Sequence, residues 1–297
     1  MRNLNYPGYA AVQSHGLIWA YRWLIARRLS QLGILAAFLL GPWFGIWFVK
    51  GNLNSSITLD VLPLTDPYLF LQSLLASFSM TTDMIIGAVI VTVFYMVVGG
   101  RVYCSWVCPI NIVTDAASWI RTRLNIKGVG TGLSRANRYW LLLLTLVLAV
   151  ATGTIAWEHV NPVSVVNREI VFGLSSMWLV LLAIFIFDLI ISKSGWCGRL
   201  CPVGAFYSIV GKLSVLRVDA VNRDKCDDCM DCFAVCPEPQ VIKPALKGKQ
   251  SGHGSMIMSG NCTNCGRCLD VCNKEVFGFS NRFGNNAKQS STMEIRS

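Results

Sequence analysis

Charge is what this sequence has least of. Asp, Glu, Lys and Arg make up 14% of its 297 residues, against roughly 25% in soluble domains. So little charge cannot cover a chain that is 53% hydrophobic, with a mean hydropathy of +0.49. An ordinary water-soluble domain is excluded and a membrane protein indicated. Disorder is excluded too, because Leu, Ile, Val and Trp offer ample apolar surface to bury. Histidine is scarcer still, at three residues. His159 alone lies in or beside an apolar stretch, so no paired-histidine haem site is visible. Twelve cysteines in 297 residues are too sparse for a small secreted disulfide scaffold, and their spacing must decide what they do.

Four apolar stretches, 29–49, 84–100, 139–157 and 170–191, approach the ~20 residues that cross ~30 Å of hydrocarbon. The expected fold is a mainly α membrane protein with four transmembrane helices, the first kinked at Pro42. Residues 68–82, interrupted by Asp83, read as an interfacial segment outside the second span. Lys and Arg number four in residues 1–28, six in 99–138 and six in 192–225, against one each in 50–82 and 158–169. The positive-inside rule then puts both termini in the cytoplasm. Arg27-Arg28 reads as the flank of a retained anchor, since no A-x-A-like cleavage site follows and three more spans do. The net charge of +10 is accounted for by helix orientation and anionic lipid, with no need for nucleic acid. Composition divides the chain into a cytoplasmic segment 1–28, a membrane domain 29–216, a polar cysteine-rich domain 217–279 and a tail 280–297.

Eight cysteines form two runs offset by 36 residues, Cys226, Cys229, Cys232, Cys236 and Cys262, Cys265, Cys268, Cys272. Each run is C-x2-C-x2-C-x3-C, the pattern of bacterial ferredoxins, in which three thiolates of one run and the fourth of the other hold each 4Fe-4S cluster. The expected ligand sets are Cys226, Cys229, Cys232 and Cys272 for one cluster, and Cys262, Cys265, Cys268 and Cys236 for the other. Structural zinc would use C-x2-C pairs but has no need of the further cysteines at +3 and +4. Asn273 stands where the first run has Pro237, and 25 residues separate Cys236 from Cys262.

The other four cysteines make a second repeat, C-x3-C-P, at Cys104-Ser105-Trp106-Val107-Cys108-Pro109 and Cys197-Gly198-Arg199-Leu200-Cys201-Pro202. Each copy follows an apolar stretch and precedes an expected interfacial helix, 110–124 or 203–215, with Pro109 and Pro202 suited to its first turn. The membrane domain therefore reads as two duplicated halves. Cysteines four apart share a helical face. Cys104, Cys108, Cys197 and Cys201 are thus candidates for an additional redox or metal site, against the alternative that small thiols pack at helix ends.

The whole pattern resembles the NapH family, membrane quinol dehydrogenase subunits associated with periplasmic nitrate reductase. The resemblance rests on Gly41-Pro42-Trp43-Phe44-Gly45, Pro63-Leu64-Thr65-Asp66-Pro67, both C-x3-C-P motifs, Asn161-Pro162-Val163-Ser164, Gly195-Trp196 before Cys197, Val203-Gly204-Ala205, and the first ferredoxin run through Cys236-Pro237-Glu238-Pro239. It implies a multi-pass protein of the bacterial inner membrane with two cytoplasmic 4Fe-4S clusters. Such a protein takes electrons from menaquinol or ubiquinol and works with a NapG-like periplasmic iron–sulfur partner, and through it with the nitrate reductase and its cytochromes.

Quinol oxidation needs an apolar pocket, proton acceptors and a nearby one-electron acceptor. Ionisable groups near the spans are candidates by default: Asp188, Arg101 and Arg199 on the cytoplasmic side, Glu158, His159 and Asp83 on the outer side. Ordinary roles compete with each, pairing of Asp188 with Lys193 or Arg199, or interfacial solvation of Glu158 and His159 beside an anchoring Trp157. A pocket at the level of the C-x3-C-P motifs is favoured because it brings the ring close to the clusters. The rival function is a membrane polyferredoxin that reduces or inserts copper at the four C-x3-C-P sulfurs. A transporter lacks the polar broken helices of alternating access.

Overall fold

A computed structural model describes residues 6–76, 81–124, 126, 133–173 and 178–283. A short helix α1 (Tyr9–His15) leads into α2 (Leu17–Phe44), and a three-stranded antiparallel sheet follows, β1 (Val49–Gly51), β2 (Ser55–Thr58) and β3 (Leu62–Thr65). Next come α3 (Pro67–Leu75), α4 (Thr82–Val98), α5 (Ile110–Arg123), α6 (Asn137–Thr152), α7 (Pro162–Phe172), α8 (Trp178–Ile186) and α9 (Pro202–Val210). The polar domain adds β4 (Leu216–Asp219), α10 (Asp231–Val235), α11 (Ile242–Lys247), α12 (Arg267–Asp270) and β5 (Gly278–Asn281).

By length and composition α2 is the one helix among the described residues able to cross a membrane, while Thr82–Val98, Asn137–Thr152 and Trp178–Ile191 are apolar but shorter. The shortening has local causes. The 139–157 stretch stops helically at Gly153, with φ +61, and Ile170–Phe172 belongs to α7, which ends at Gly173 with φ +93. Glycine accepts the left-handed conformation that closes a helix. The stretch 29–49 loses its end to β1, and its start merges into a helix that begins at Leu17. Residues 77–80, 174–177 and 284–297, which include parts of the expected interfacial segment, fourth span and tail, lie outside the described residues.

Residues 68–75, part of the expected interfacial segment, form most of α3, whose Tyr68 and Gln72 are 1% and 0% exposed and so pack against protein. Asp66 caps this helix by accepting the Tyr68 N–H at 2.8 Å, with Pro67 in the first turn. Asn161 and Pro162 do the same for α7, where the Asn161 side chain accepts the Val163 N–H at 3.1 Å. Both X-Pro sequences are helix starts for one reason: the cap fills an orphan N–H and proline has none to lose.

β3 runs against α4 at Gly87, where a Cβ would stand 2.9 Å from the Thr65 nitrogen and 3.1 Å from the Pro63 oxygen. Irregular backbone beside an apolar helix is tolerated where protein covers it. We expect Gly87→Val to force β3 off α4 and cost about 1–3 kcal/mol, read as a lowered unfolding temperature, with Gly87→Ala milder.

The chain divides into two compact units, one of Met1–Arg27, Tyr95–Ser105 and Ser208–Ser297, the other of Arg28–Phe94 and Trp106–Tyr207. The first of these units joins the polar 217–279 stretch with residues from α2 and α4. Its core is built on Val218, Ile242, Leu246, Ile257 and Val276. β4 and β5, which flank the two cysteine runs, pair antiparallel with Val218 opposite Phe279. The 25 residues between the runs supply α11, whose Ile242, Ala245 and Leu246 are buried.

In the other unit Ile110 of α5 packs with Val163 and Val166 of α7 and Ile184 of α8. One face of α5, read from sequence as interfacial, is thus covered by protein. Glu158 ties β-sheet and α7 together, accepting from Asn54 at 2.9 Å, from Asn161 at 3.2 Å and from Ser164.

Candidate functional site

The two cysteine runs fold as near copies. In the first, Asp228 and Met230 take left-handed φ values of 59° and 66°; in the second, Asn264 and Gly266 take 46° and 72°. These are the same two positions in each C-x-x-C-x-x-C loop. Left-handed residues curl the loop so that backbone N–H groups face inward, a concavity suited to an anionic cluster. Each loop then enters a short helix, α10 or α12.

One cavity is lined by Cys226, Cys229, Cys232 and Cys272, and a second by Cys236, Cys262, Cys265 and Cys268. Each cavity thus takes three cysteines of one run and the fourth of the other. Three cysteines of one run with the fourth of the other are the donor set of a bacterial-type 4Fe-4S cluster, so the lining of each cavity fits that group. Burial pushes Cys232 up to about 12 and Cys262 up to about 11, and Cys236 and Cys268 well above the usual thiol range, with neighbouring sulfurs adding to it. Burial thus favours the protonated form of these four thiols, and binding a cluster would require them to lose their protons.

Arg101 and Asp188 are both committed to protein contacts. Arg101 is 1% exposed, its Nη1 donating to Glu238 Oε1 at 2.8 Å and to the Asn261 carbonyl at 3.0 Å. Asp188 is fully buried and accepts the Trp196 N–H at 2.9 Å, while Arg121 donates to its main-chain oxygen at 3.1 Å. Asp188 therefore caps the turn that carries Cys197. Both C-x3-C motifs sit on single π-helical turns, Tyr103–Val107 and Trp196–Leu200, a conformation frequent at functional sites. Cys201 closes its turn with an N–H bond of 2.9 Å to Trp196. Cys108 is steadied by buried Gln31, which donates to its carbonyl at 3.2 Å. Arg199 is half-buried, whereas His159 and Asp83 are exposed.

The residue that sequence reasoning passes over is Asp66. It is 8% exposed, and the buried Tyr207 hydroxyl donates to its Oδ1 at 3.3 Å. Burial pushes its pKa up to about 6, against the Tyr68 N–H and Tyr207 hydroxyl that favour the carboxylate. Tyr68 sits beside it with its hydroxyl 2.6 Å from Thr145, and Cys201 lies within electrostatic range of that phenol. Gln72, one turn on, accepts the main-chain N–H of Trp157 at 3.2 Å. Trp157 is no interface anchor: it is 6% exposed, and its indole N–H has no acceptor among the described residues. The available signal was Asp66-Pro67 itself, which pairs with Asn161-Pro162 as a helix cap but carries a titratable group.

A family model described as a 4Fe-4S binding domain matches twice, over residues 80–127 and 174–219, each match covering one C-x3-C-P motif. A 4Fe-4S dicluster domain matches residues 225–276. Over 94% of its length the chain is 46% identical to the ferredoxin-type protein NapH of Haemophilus influenzae, covering 98% of that protein. It is 46% identical to NapH of Escherichia coli over 95% of the chain and 97% of the relative. The methylamine utilization ferredoxin-type protein MauN of Paracoccus denitrificans is 48% identical over 92% of the chain and 95% of the relative. No solved structure is a significant match. With cysteine-lined cavities in a dicluster domain and this likeness along nearly its full length, the chain belongs to the NapH and MauN family of ferredoxin-type iron–sulfur electron-transfer proteins.

Proposed function

We propose that the chain is a multi-pass membrane quinol dehydrogenase subunit with its ferredoxin domain in the cytoplasm. The observation that carries this reading is the joining, in one chain, of two four-cysteine cavities with an apolar unit that buries the Asp66 carboxyl against Tyr207. In this reading Cys226, Cys229, Cys232 and Cys272 hold one 4Fe-4S cluster and Cys236, Cys262, Cys265 and Cys268 the other. Each bound cluster takes one electron, so the pair matches the two electrons of one quinol. The quinol head approaches Asp66, whose carboxylate accepts one proton and releases it to water before it accepts the second. The Trp157 indole N–H supplies a donor for the quinone oxygen that results.

The duplicated halves each present a C-x3-C-P motif, and the repeated 4Fe-4S family match over both supports an additional redox centre there. Electrons leave towards a NapG-like iron–sulfur partner and a periplasmic nitrate reductase. The 48% identity to MauN favours a second acceptor for the same chemistry, a methylamine-oxidising system.

Protein purified anaerobically should hold about eight iron and eight sulfide in the ferredoxin domain and be reduced by menaquinol or ubiquinol analogues. About four iron, or bound zinc, would refute the two-cluster assignment. Failure of both quinols to reduce a fully loaded protein would refute the dehydrogenase. Tight copper binding lost in Cys104→Ala or Cys197→Ala would establish the metal reductase instead. Reoxidation by membranes given nitrate, against membranes given a methylamine-oxidising system, separates the two acceptors.

A further inference from the structure

The apolar unit holds two buried hydrogen-bond donors that lack an acceptor among the described residues, and they sit on residues bonded to each other. Gln72 of α3 is 0% exposed, and its Oε1 accepts the Trp157 main-chain N–H at 3.2 Å. A main-chain N–H can only donate, so this bond fixes which end of the amide is oxygen. Nε2 therefore points elsewhere, and no acceptor among the described residues meets it in hydrogen-bonding geometry. Tyr68, one turn back, lies beside Gln72, but its hydroxyl is engaged with Thr145 at 2.6 Å. The second donor is the indole N–H of Trp157, a residue 6% exposed.

A buried donor left unmatched carries its full desolvation penalty, and native interiors match nearly all of theirs. Two such donors on one bonded pair point to an acceptor that arrives with a ligand. The pair also lies one short turn from the surface. Trp157 belongs to the 3-10 turn Ala156–His159, with Gly153 and Thr154 exposed before it and His159 and Val160 exposed at its end. Asp66, in turn, caps the helix that carries Gln72.

Resting on the quinol dehydrogenase reading, we propose that Gln72 and Trp157 together hold the carbonyl oxygens of the oxidised ring, so that the site binds quinone more tightly than quinol. Oxidation breaks both O–H bonds of the quinol: its two protons leave through Asp66, and its two electrons go one at a time to the clusters. Each ring oxygen thereby changes from a hydroxyl, whose hydrogen needs an acceptor, to a carbonyl that only accepts. The amide Nε2 and the indole N–H only donate, so they match the product. A hydroxyl in the same place is the weaker acceptor and leaves its own hydrogen to be satisfied. Tenfold tighter binding of the quinone lowers the potential of the bound two-electron couple by about 30 mV, which makes bound quinol the stronger reductant for the clusters.

The test uses the intact, cluster-loaded protein and two probes, decylubiquinone and a short-chain menaquinone. Calorimetric titration of oxidised protein with each quinone, and of dithionite-reduced protein with the matching quinol, gives both affinities without turnover. The native protein should bind at least one quinone about tenfold or more tightly than its quinol, the worth of one hydrogen bond. In Trp157→Phe and in Gln72→Met that quinone's affinity should fall about tenfold while the quinol's moves less than about twofold. Iron content and the dithionite-reduced EPR spectrum report whether each variant is folded and loaded. Where a substitution disturbs packing, β-(3-benzothienyl)alanine at position 157 keeps the shape of the indole without its N–H, and should give the same loss. An unchanged quinone affinity in these variants, equal losses for quinone and quinol, or no quinone binding by the native protein overturns the proposal. If quinone binds selectively through these two residues but quinol does not reduce the clusters, the dehydrogenase reading falls and the donor assignment stands. If quinol reduces the clusters but the native site does not prefer quinone, the proposal falls and that reading stands.

Discussion

Asp66→Asn is expected to slow quinol-driven cluster reduction by about 10²-fold or more, the usual contribution of a positioned general base, while the dithionite-reduced EPR spectrum stays native. Asparagine suits the test because it is as good a helix cap as aspartate: it can still accept the Tyr68 N–H that now bonds Asp66 at 2.8 Å, so α3 should keep its start. Only the proton-accepting capacity is removed. In the native protein the rate should climb as pH rises through about 6, where burial has placed this carboxyl, because only the carboxylate can accept a proton. The variant should be slow and flat over the same range. Stability runs the other way. A folded pKa raised from 3.8 to about 6 means that the folded state favours the neutral acid, so its stabilisation is complete below the unfolded value and is lost as pH rises through about 6. A native quinol rate in Asp66→Asn would remove this residue from the reaction.

Glu238→Ala should destabilise the ferredoxin unit by about 3–5 kcal/mol, because it strands the Arg101 guanidinium in a site where both side chains are only 2% exposed. The damage should be local. The Glu238 N–H bonds to the Cys236 sulfur, so the second-run cluster should be lost before the first, seen as about half the iron and one remaining EPR signal. Replacing both partners, Arg101→Met with Glu238→Leu, removes the stranded charge and should recover most of the unfolding temperature, since apolar pairs of similar volume often match a buried ion pair. If the single and double variants unfold alike, the ion pair is not what holds this corner together.

Arg101 and Glu238 also show where reading by sequence stops. A lone arginine beside a C-x3-C motif reads as a membrane-edge group near a quinol; its partner is 137 residues away, and nothing local to either residue signals the pairing. Glu158 is a similar case, a hub for Asn54, Asn161 and Ser164 where the sequence shows only an acid at the end of an apolar stretch. The cysteine loops behave differently. Three thiols within seven residues can close on one cluster through backbone geometry alone, with left-handed positions such as Asp228 and Asn264 inside the same loop. The four-span count rests on hydropathy, which measures composition over a window and is blind to the glycine stops at 153 and 173 that shorten the helices.

The sequence by itself determined what is local: apolar stretches, proline-started helices at Asp66 and Asn161, and the chemistry of the cysteine loops, because spacing along the chain controls each of them. Tertiary structure alone decided that a capping aspartate would also be buried and raised in pKa. Burial and desolvation come from segments far away in the chain, that of Tyr207 for Asp66, and no local spacing records them.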